Sequence, residues 1–399
     1  MHSKTACMRY NCKTIMSLSI YSILAISVNS CNTQTHTNGK SISIDKAFAS
    51  LFYADSGGIS GADGVFSVLL PDSSSVFFLG DCFIGEVING SRDLKTPMLR
   101  NAFNLIDKNK RTARAIVRGS LTEPLTLMEP YKAKGDSTYR WYWPGHGFAK
   151  GDTLYVFALN LYNDSSARVK SNKPENEQNE ADKLAEDMFS FRISQIDLLS
   201  FKLPDFKHIE THKVDFDYTK YPIDFGNCVM IDNGYVYIYG TKNLPGFSKI
   251  HAARIPLNSN TFYKGWEYYT DKGWDYNIEK STPIAIDISV SEQFSIFKYK
   301  DKYILLTMER AGFDIYTYTS NSPIGPFTNK KFIYHTPEHE ADSTMKLFTY
   351  NALAHPQYIE NDELLVSYCI NSLNVKDVFD NVENYRARFI RVPIQMILE

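Results

Sequence analysis

Gly61-Ala62-Asp63-Gly64-Val65-Phe66-Ser67-Val68-Leu69-Leu70-Pro71-Asp72-Ser73-Ser74-Ser75-Val76-Phe77-Phe78-Leu79-Gly80-Asp81 is an apolar hairpin pattern with an aspartate at each end. Val65 to Leu70 reads as a strand, Pro71 to Ser75 as a turn, and Val76 to Leu79 as the returning strand, because β-branched and aromatic runs flank a Pro/Asp/Ser cluster. Residues equidistant from a turn centred near Asp72 and Ser73 lie opposite one another, which sets Asp63 against Asp81 with Cα atoms roughly 4.5–5.5 Å apart. Like charges so placed destabilise a hairpin, so a fold that keeps them must use or neutralise them.

The pattern recurs. Comparable units run from Gly147 to Asn160, Cys228 to Thr241, Phe294 to Met308 and Leu353 to Tyr368, each folding about a polar turn. Their second strands recur about every 70 residues, long for a propeller blade but suited to blades with long loops. Third strands are expected at Asn101–Ile106, Phe189–Ile193, His251–Ile255, Asp314–Tyr318 and, in the last unit, Arg386–Gln395. Fourth strands are expected at Ala113–Arg118, Lys207–Val214, Tyr263–Tyr269 and Lys331–His335, and Ser41–Ile44 is placed to complete the last unit. The expected fold is all-β, a five-bladed β-propeller of four-stranded antiparallel blades in one domain over residues 41–399. A large β-sandwich is the alternative, but it does not demand this repeat. The Lys-, Glu- and Asn-rich stretch from Asn163 to Asp187 reads as a solvated insertion, helical in part from Asn179 to Met188.

The 399 residues are 43% hydrophobic, ample for a large core, and their 26 Tyr and 25 Phe suit strands and also supply faces on which sugars stack. A formal charge of -2 with scattered basic residues argues against nucleic acid as a partner. Lys4, Arg9 and Lys13 precede an apolar stretch from Ile15 to Val28, and Val28-Asn29-Ser30-Cys31 follows, which reads as a secretion signal over residues 1–31. The ending is similar to a bacterial lipoprotein cleavage site, so lipidation of Cys31 is expected, with ordinary cleavage nearby as the alternative. Residues 32–40 are expected to form a polar linker, and the expected location is the bacterial cell envelope, on the periplasmic side or the outer surface of the outer membrane. The lipid is then the one membrane attachment, and a monomer is expected. Cys82, Cys228 and Cys369 remain in the mature chain, an odd set that reads as buried free thiols.

The same turn arithmetic places polar residues at the rim shared with Asp63 and Asp81. Asp224 is set opposite Lys242, Glu292 opposite Glu309 and Asn351 opposite Asn371, while Trp143-Pro144-Gly145-His146 faces the segment ending at Asn160. Carboxylates around an aromatic-lined concavity suit glycoside hydrolysis, in which one acid protonates the leaving oxygen while another carboxylate attacks or activates water. Two close carboxylates cannot both ionise easily, which divides those roles. Asp63 and Asp81 are therefore the expected catalytic pair, with Glu292 assisting. Trp143, His146, Asp224, Asn227, His251, Arg254, Glu309, Arg310, His355 and Asn371 are expected to contact carbohydrate. His146, His251 and His355 show no metal-ligand spacing, and no serine-nucleophile, Cys-x-x-Cys or phosphate-loop motif occurs, so no cofactor or metal is expected.

Gly61-Ala62-Asp63-Gly64 followed by Leu79-Gly80-Asp81-Cys82-Phe83 resembles the opening of the domain-of-unknown-function family 4185. Asn321-Ser322-Pro323-Ile324-Gly325-Pro326-Phe327, Tyr350-Asn351-Ala352-Leu353-Ala354-His355-Pro356 and Leu365 to Asn371 resemble its later signatures. The related family 5005 of secreted bacterial proteins is closer still. Members of family 4185 include endo-acting arabinanases, grouped as glycoside hydrolase family 183, whose first-blade aspartates are the catalytic candidates. The resemblance thus implies catalytic roles for Asp63 and Asp81 and a furanoside such as arabinan as substrate. The chain departs from the family at Cys82, where Thr is usual, and in its Gly-Ala-Asp-Gly. A glycan-binding propeller without catalysis, or a scaffold within a surface complex, are the rival readings.

Overall fold

The first hairpin forms as Phe66–Leu69 against Ser75–Leu79, with Phe66 opposite Phe78 and Leu69 opposite Ser75, the register that the turn arithmetic requires. Asp72 holds the turn by accepting from the Ser74 N–H (3.0 Å) and hydroxyl (2.6 Å). The computed structural model describes residues 41–132, 134–164, 166, 190–245, 247–309, 312–341 and 347–399. Cys31, Arg310, the signal and linker segments and the helix expected over Asn179–Met188 lie outside the described residues.

Five larger antiparallel sheets succeed one another along the chain. The first adds Ala102–Ile106 and Ala113–Ile116 to the opening hairpin. The second is Arg140–Lys150, Thr153–Asn163, Phe191–Lys202 and Lys207–Lys213. The third is Asp224–Asp232, Tyr235–Leu244, Phe247–Pro256, Glu267–Thr270 and an unexpected fifth strand, Gly273–Asp275. The fourth is Ser295–Tyr299, Lys302–Met308, Asp314–Ser320 and Thr328–His335. In the fifth, Leu347–Glu360, Glu363–Ser372 and Arg388–Pro393 are completed by Ser43–Ile44 from the other end of the chain, as expected. The first strand of each sheet lies against the first strand of the next, and that of the fifth against that of the first.

This arrangement explains why the second strands read as unbroken apolar runs. Each sheet is covered on both faces, so successive side chains enter different layers. Phe77 packs with Leu365 and Phe389 toward the fifth sheet, whereas Phe78 packs with Tyr142 and Val156 toward the second. Val236 and Ile238 face the second sheet while Tyr237 and Tyr239 face the fourth. Ile304 and Leu306 join the fifth-sheet layer, and Leu305 between them faces the third. The short helix Lys46–Phe52, capped by Asp45 accepting from the Phe48 N–H, fills the layer between fifth and first sheets with Phe48 and Phe52.

Bulges move some pairings. One between Phe225 and Cys228 sets Asp224 opposite Thr241 instead of Lys242. Two more, between His355 and Glu360 and between Tyr350 and Leu353, together set Asn371 opposite Phe348, and Asn351 turns into the left-handed region at φ 54°. Each bulge adds a residue that turn arithmetic cannot count. The third strand of the second sheet also begins and ends later than expected, because its buried half runs from Ile196 to Phe201.

Candidate active site

Beyond its two strands the opening hairpin keeps its partners. The Asp63 N–H donates to the Asp81 carbonyl at 3.3 Å, and the Gly80 N–H donates to the Asp63 carbonyl at 2.9 Å. Ala62 faces Cys82 in a small sheet built from Ile59–Ala62, Cys82–Ile84 and Met98–Leu99. Asp63 therefore faces both Gly80 and Asp81, and the chain kinks at Gly64, whose φ is 62°. Glycine at position 80 leaves room for the carboxyl: a Cβ there would sit 2.5 Å from Asp63 Oδ1.

The two carboxyls are neighbours with different surroundings. Asp63 Oδ2 accepts from the Tyr350 hydroxyl at 2.8 Å, and no cation pairs with it among the described residues. Burial, with the Asp81 charge second, pushes the Asp63 carboxyl up to about 7. Asp81 accepts from Arg100 Nη1 at 3.2 Å and from Trp143 Nε1 at 3.3 Å. Burial raises its pKa too, but the guanidinium opposes the rise. A pair this close titrates as a unit, and electrostatics put the shared proton on Asp63 and the charge on Asp81 beside Arg100. The Tyr385 hydroxyl donates to the Asp81 carbonyl at 3.1 Å and closes the site from the fifth-sheet side.

Beside Asp81 stands an aromatic wall. Trp143 meets Phe191 edge-on with centroids 4.7 Å apart, Tyr139 stacks on Trp141 at 5.3 Å, and the Arg100 guanidinium lies 4.7 Å from the Trp141 ring. Tyr139 is 54% exposed, so this wall presents a flat face to solvent. On the other side Tyr350 borders a recess of about 230 Å³ shared with Ser291, Glu292, Met308, Glu309, Gly312, Thr349 and Asn351. A cavity of about 300 Å³ between the second sheet and the loop 260–263 that leads to the fourth strand of the third, lined by Tyr155, Glu210 and His212 among others, holds none of these groups.

The structure brings together Asp63, Asp81 and Trp143, with Asn371 in hydrogen-bond contact with the Tyr350 hydroxyl. Glu292 lies on the recess, where its backbone carbonyl accepts from Asn227 Nδ2 at 2.7 Å, so Asn227 positions that loop. Glu309 shares the recess but is ion-paired with Lys330. The other expected contacts are spent within the protein. His146 Nδ1 accepts from the Val229 N–H at 2.9 Å, so its proton sits on Nε2, which donates to the Ser67 carbonyl at 3.0 Å. His355 bonds Ser67 Oγ at 2.6 Å and Ser367 Oγ at 2.9 Å. Burial holds both imidazoles neutral, with pKa values pushed down to about 4 and about 3, and they staple the first strands to one another. His251 bonds Ser281 within the third sheet, and Arg254 pairs with Glu267 between the Tyr235 and Trp274 rings, so neither is a rim group. Arg100, Tyr139, Tyr350 and Tyr385 were missed by turn arithmetic, because none sits at a hairpin rim position that it counts.

Asp224 is buried, accepts from Tyr218 Oη (2.6 Å) and Asn243 Nδ2 (3.2 Å), and is pushed up to about 7 by burial and, less, by the Glu292 charge. A carboxyl raised this far stabilises the fold fully only below its ordinary pKa and loses that contribution as pH rises through about 7. Asp224→Asn can donate to Tyr218 and accept from Asn243. It is expected to gain on the order of 2 kcal/mol at pH 8 and nothing near pH 4, read from urea unfolding at both values.

The chain superposes on a Bacteroides ovatus ATCC 8483 protein described as a candidate hydrolase, with TM-score 0.67 and 21% identity over 88% of this chain and 90% of that one. That likeness is one of fold. More distant are a GH43_1 enzyme from Xanthomonas citri (TM-score 0.47, 12% identity, 87% and 92% covered) and the Podospora anserina α-L-arabinofuranosidase PaAbf62A (0.42, 11%, 86% and 94%). No curated protein sequence matches the chain. Residues 45–394, which hold the paired aspartates and every one of the five sheets but its closing N-terminal strand, match the domain of unknown function DUF5005, and the chain belongs to that family.

Proposed function

We propose that the five sheets are the blades of a five-bladed β-propeller and that the chain hydrolyses a glycosidic bond in a poly- or oligosaccharide, with Asp63 as general acid and Asp81 as base or nucleophile. The observation that supports this is the divided pair: one carboxyl pushed up to about 7 and its neighbour held by Arg100 and Trp143. A protonated Asp63 can give its proton to the leaving oxygen as the bond to the anomeric carbon breaks. An ionised Asp81 can attack that carbon or take a proton from the attacking water. The aromatic wall offers its faces to the sugar, and the Tyr350 recess offers a second subsite. The furanoside class, with arabinan as its example, rests on the resemblance of the motifs to glycoside hydrolase family 183. The N-terminal signal and Cys31 further suggest a lipid-anchored protein of the cell envelope.

Incubation with a panel of plant and microbial polysaccharides tests the activity. New reducing ends are expected from at least one furanoside polymer. Retardation of a polymer in a gel with no release of ends would make the protein a glycan binder, and neither result would make it a scaffold.

A further inference from the structure

His335, His339 and Glu340 converge where the fourth sheet passes to the fifth. His335 ends the strand Thr328–His335, and the other two lie on the short helix Glu338–Ala341 that follows. One ring nitrogen from each histidine and a carboxylate oxygen of Glu340 all fall within 4.8 Å of one another. His335 Nε2 is 3.5 Å and His339 Nε2 3.8 Å from Glu340 Oε1.

The far side of each ring decides what those nitrogens carry. His335 Nδ1 lies 2.5 Å from Asp314 Oδ1, and His339 Nδ1 lies 3.0 Å from the Thr336 carbonyl. A carbonyl only accepts, and an ionised carboxylate only accepts, so each Nδ1 carries a proton, and in the neutral tautomer each Nε2 presents a lone pair toward Glu340. Two bare nitrogens and a carboxylate oxygen facing one another repel unless something positive sits among them. The two separations from Glu340 Oε1 are long for hydrogen bonds but near the roughly 3.3 Å between ligand atoms around an ion bound at about 2.0–2.1 Å. Backing each ligand imidazole with a carboxylate or carbonyl is how proteins orient histidines toward a metal.

The supports are rigid. His339 stacks on Phe313 at 3.7 Å with the rings 4° from parallel. The Tyr316 hydroxyl donates to Asp314 Oδ2 at 3.1 Å. The helix is tied to the fifth sheet by Glu338, whose Oε1 accepts from Tyr368 at 2.9 Å and Arg388 at 3.3 Å.

We infer that His335, His339 and Glu340 bind one divalent transition-metal ion of the Zn²⁺ class, with Asp314 as the positioning residue behind His335. Two imidazoles and one carboxylate leave a fourth position for water and suit a borderline ion, whereas Ca²⁺ and Mg²⁺ prefer oxygen ligands alone. The ion would tie the end of one sheet to the helix leading into the next. That joint borders the recess, since Thr336 Oγ1 meets Thr349 Oγ1 at 2.5 Å and Thr349 lines it beside Tyr350.

Chelator-treated protein titrated with Zn²⁺ at pH 7.5 in a calorimeter is expected to bind one equivalent per chain, and its Tm is expected to rise with the metal. His335→Ala and His339→Ala should each weaken binding at least tenfold, and Asp314→Asn, which keeps all three ligands, by about 10- to 100-fold. Binding that survives unchanged in the doubly substituted H335A/H339A protein, or the absence of any binding, overturns the proposal. So does a cluster that takes Ca²⁺ with equal affinity.

Discussion

Asp63→Asn is expected to lower kcat on any glycan that the protein cleaves by about a thousandfold or more while making the folded chain more stable at neutral and alkaline pH. The amide cannot deliver a proton to the leaving oxygen, and loss of a positioned acid typically costs 10²–10⁴ in rate. The stability change has the opposite sign for a related reason. Folding raises the Asp63 carboxyl to about 7 from its ordinary 3.8, so the folded state binds that proton more tightly than the unfolded chain does. Stability is then complete below about pH 4 and declines as the pH rises through 7. The amide has no proton to lose, and the gain over wild type should reach on the order of 3 kcal/mol at pH 8 and vanish near pH 4. Denaturant unfolding at the two pH values, beside reducing-sugar assays, measures both effects. Asp81→Asn should be as inactive, and it removes the charge that helps to raise Asp63, so the Asp63 carboxyl falls in pKa, which carbon-13 NMR can follow. Unchanged activity in both variants would dismiss the pair as the catalytic centre.

Arg100→Met carries the second large effect. The guanidinium 3.2 Å from Asp81 favours the ionised form, and without it burial acts unopposed. The Asp81 pKa rises, so the acid limb of the rate profile is expected to move to higher pH, with kcat on that limb down about tenfold or more. The alkaline limb, set by loss of the Asp63 proton, is expected near pH 7, so the bell narrows from its acid side. Arg100→Lys keeps the charge but not the planar stack on Trp141, 4.7 Å away. It should restore most of the acid limb while KM stays raised. A merely structural Arg100 would instead depress the rate equally at every pH.

These effects tie the proposed catalytic role of the pair to a cost in stability. Placing two carboxyls across one hairpin and burying them costs the fold free energy near and above neutral pH. Gly80 and Gly64 show how closely the backbone is fitted to that purpose, the first by leaving space for Asp63 Oδ1 and the second by its left-handed turn. The two histidines expected at the rim, His146 and His355, serve the frame. They cross-link first strands through Ser67 and Val229, His355 also bonding Ser367 on the neighbouring strand of its own sheet, and a buried imidazole with both nitrogens engaged costs less than an unpaired one.

The first hairpin, its register and the facing of Asp63 and Asp81 were legible in the chain itself, because a short turn fixes pairing locally and alternate side chains follow from it. So were the recurring hairpins and the completion of the last sheet by Ser43–Ile44. Asp224 and Asn371 went astray by one to three positions, because the register shifts at Phe225–Cys228, Tyr350–Leu353 and His355–Glu360 add residues that counting from the turn leaves out. His335 and His339 stand in His-x-x-x-His spacing that was open to reading, but the spacing acquires meaning only when Glu340 and Asp314 are seen beside the rings. Sequence by itself thus determined a hairpin with two opposed acids and its repetition. Tertiary structure alone decided that Arg100 would hold one of them charged and that Tyr350, nearly 290 positions away, would bond the other. Contacts between residues so distant in the chain are set by how the sheets pack together, and no local pattern encodes that.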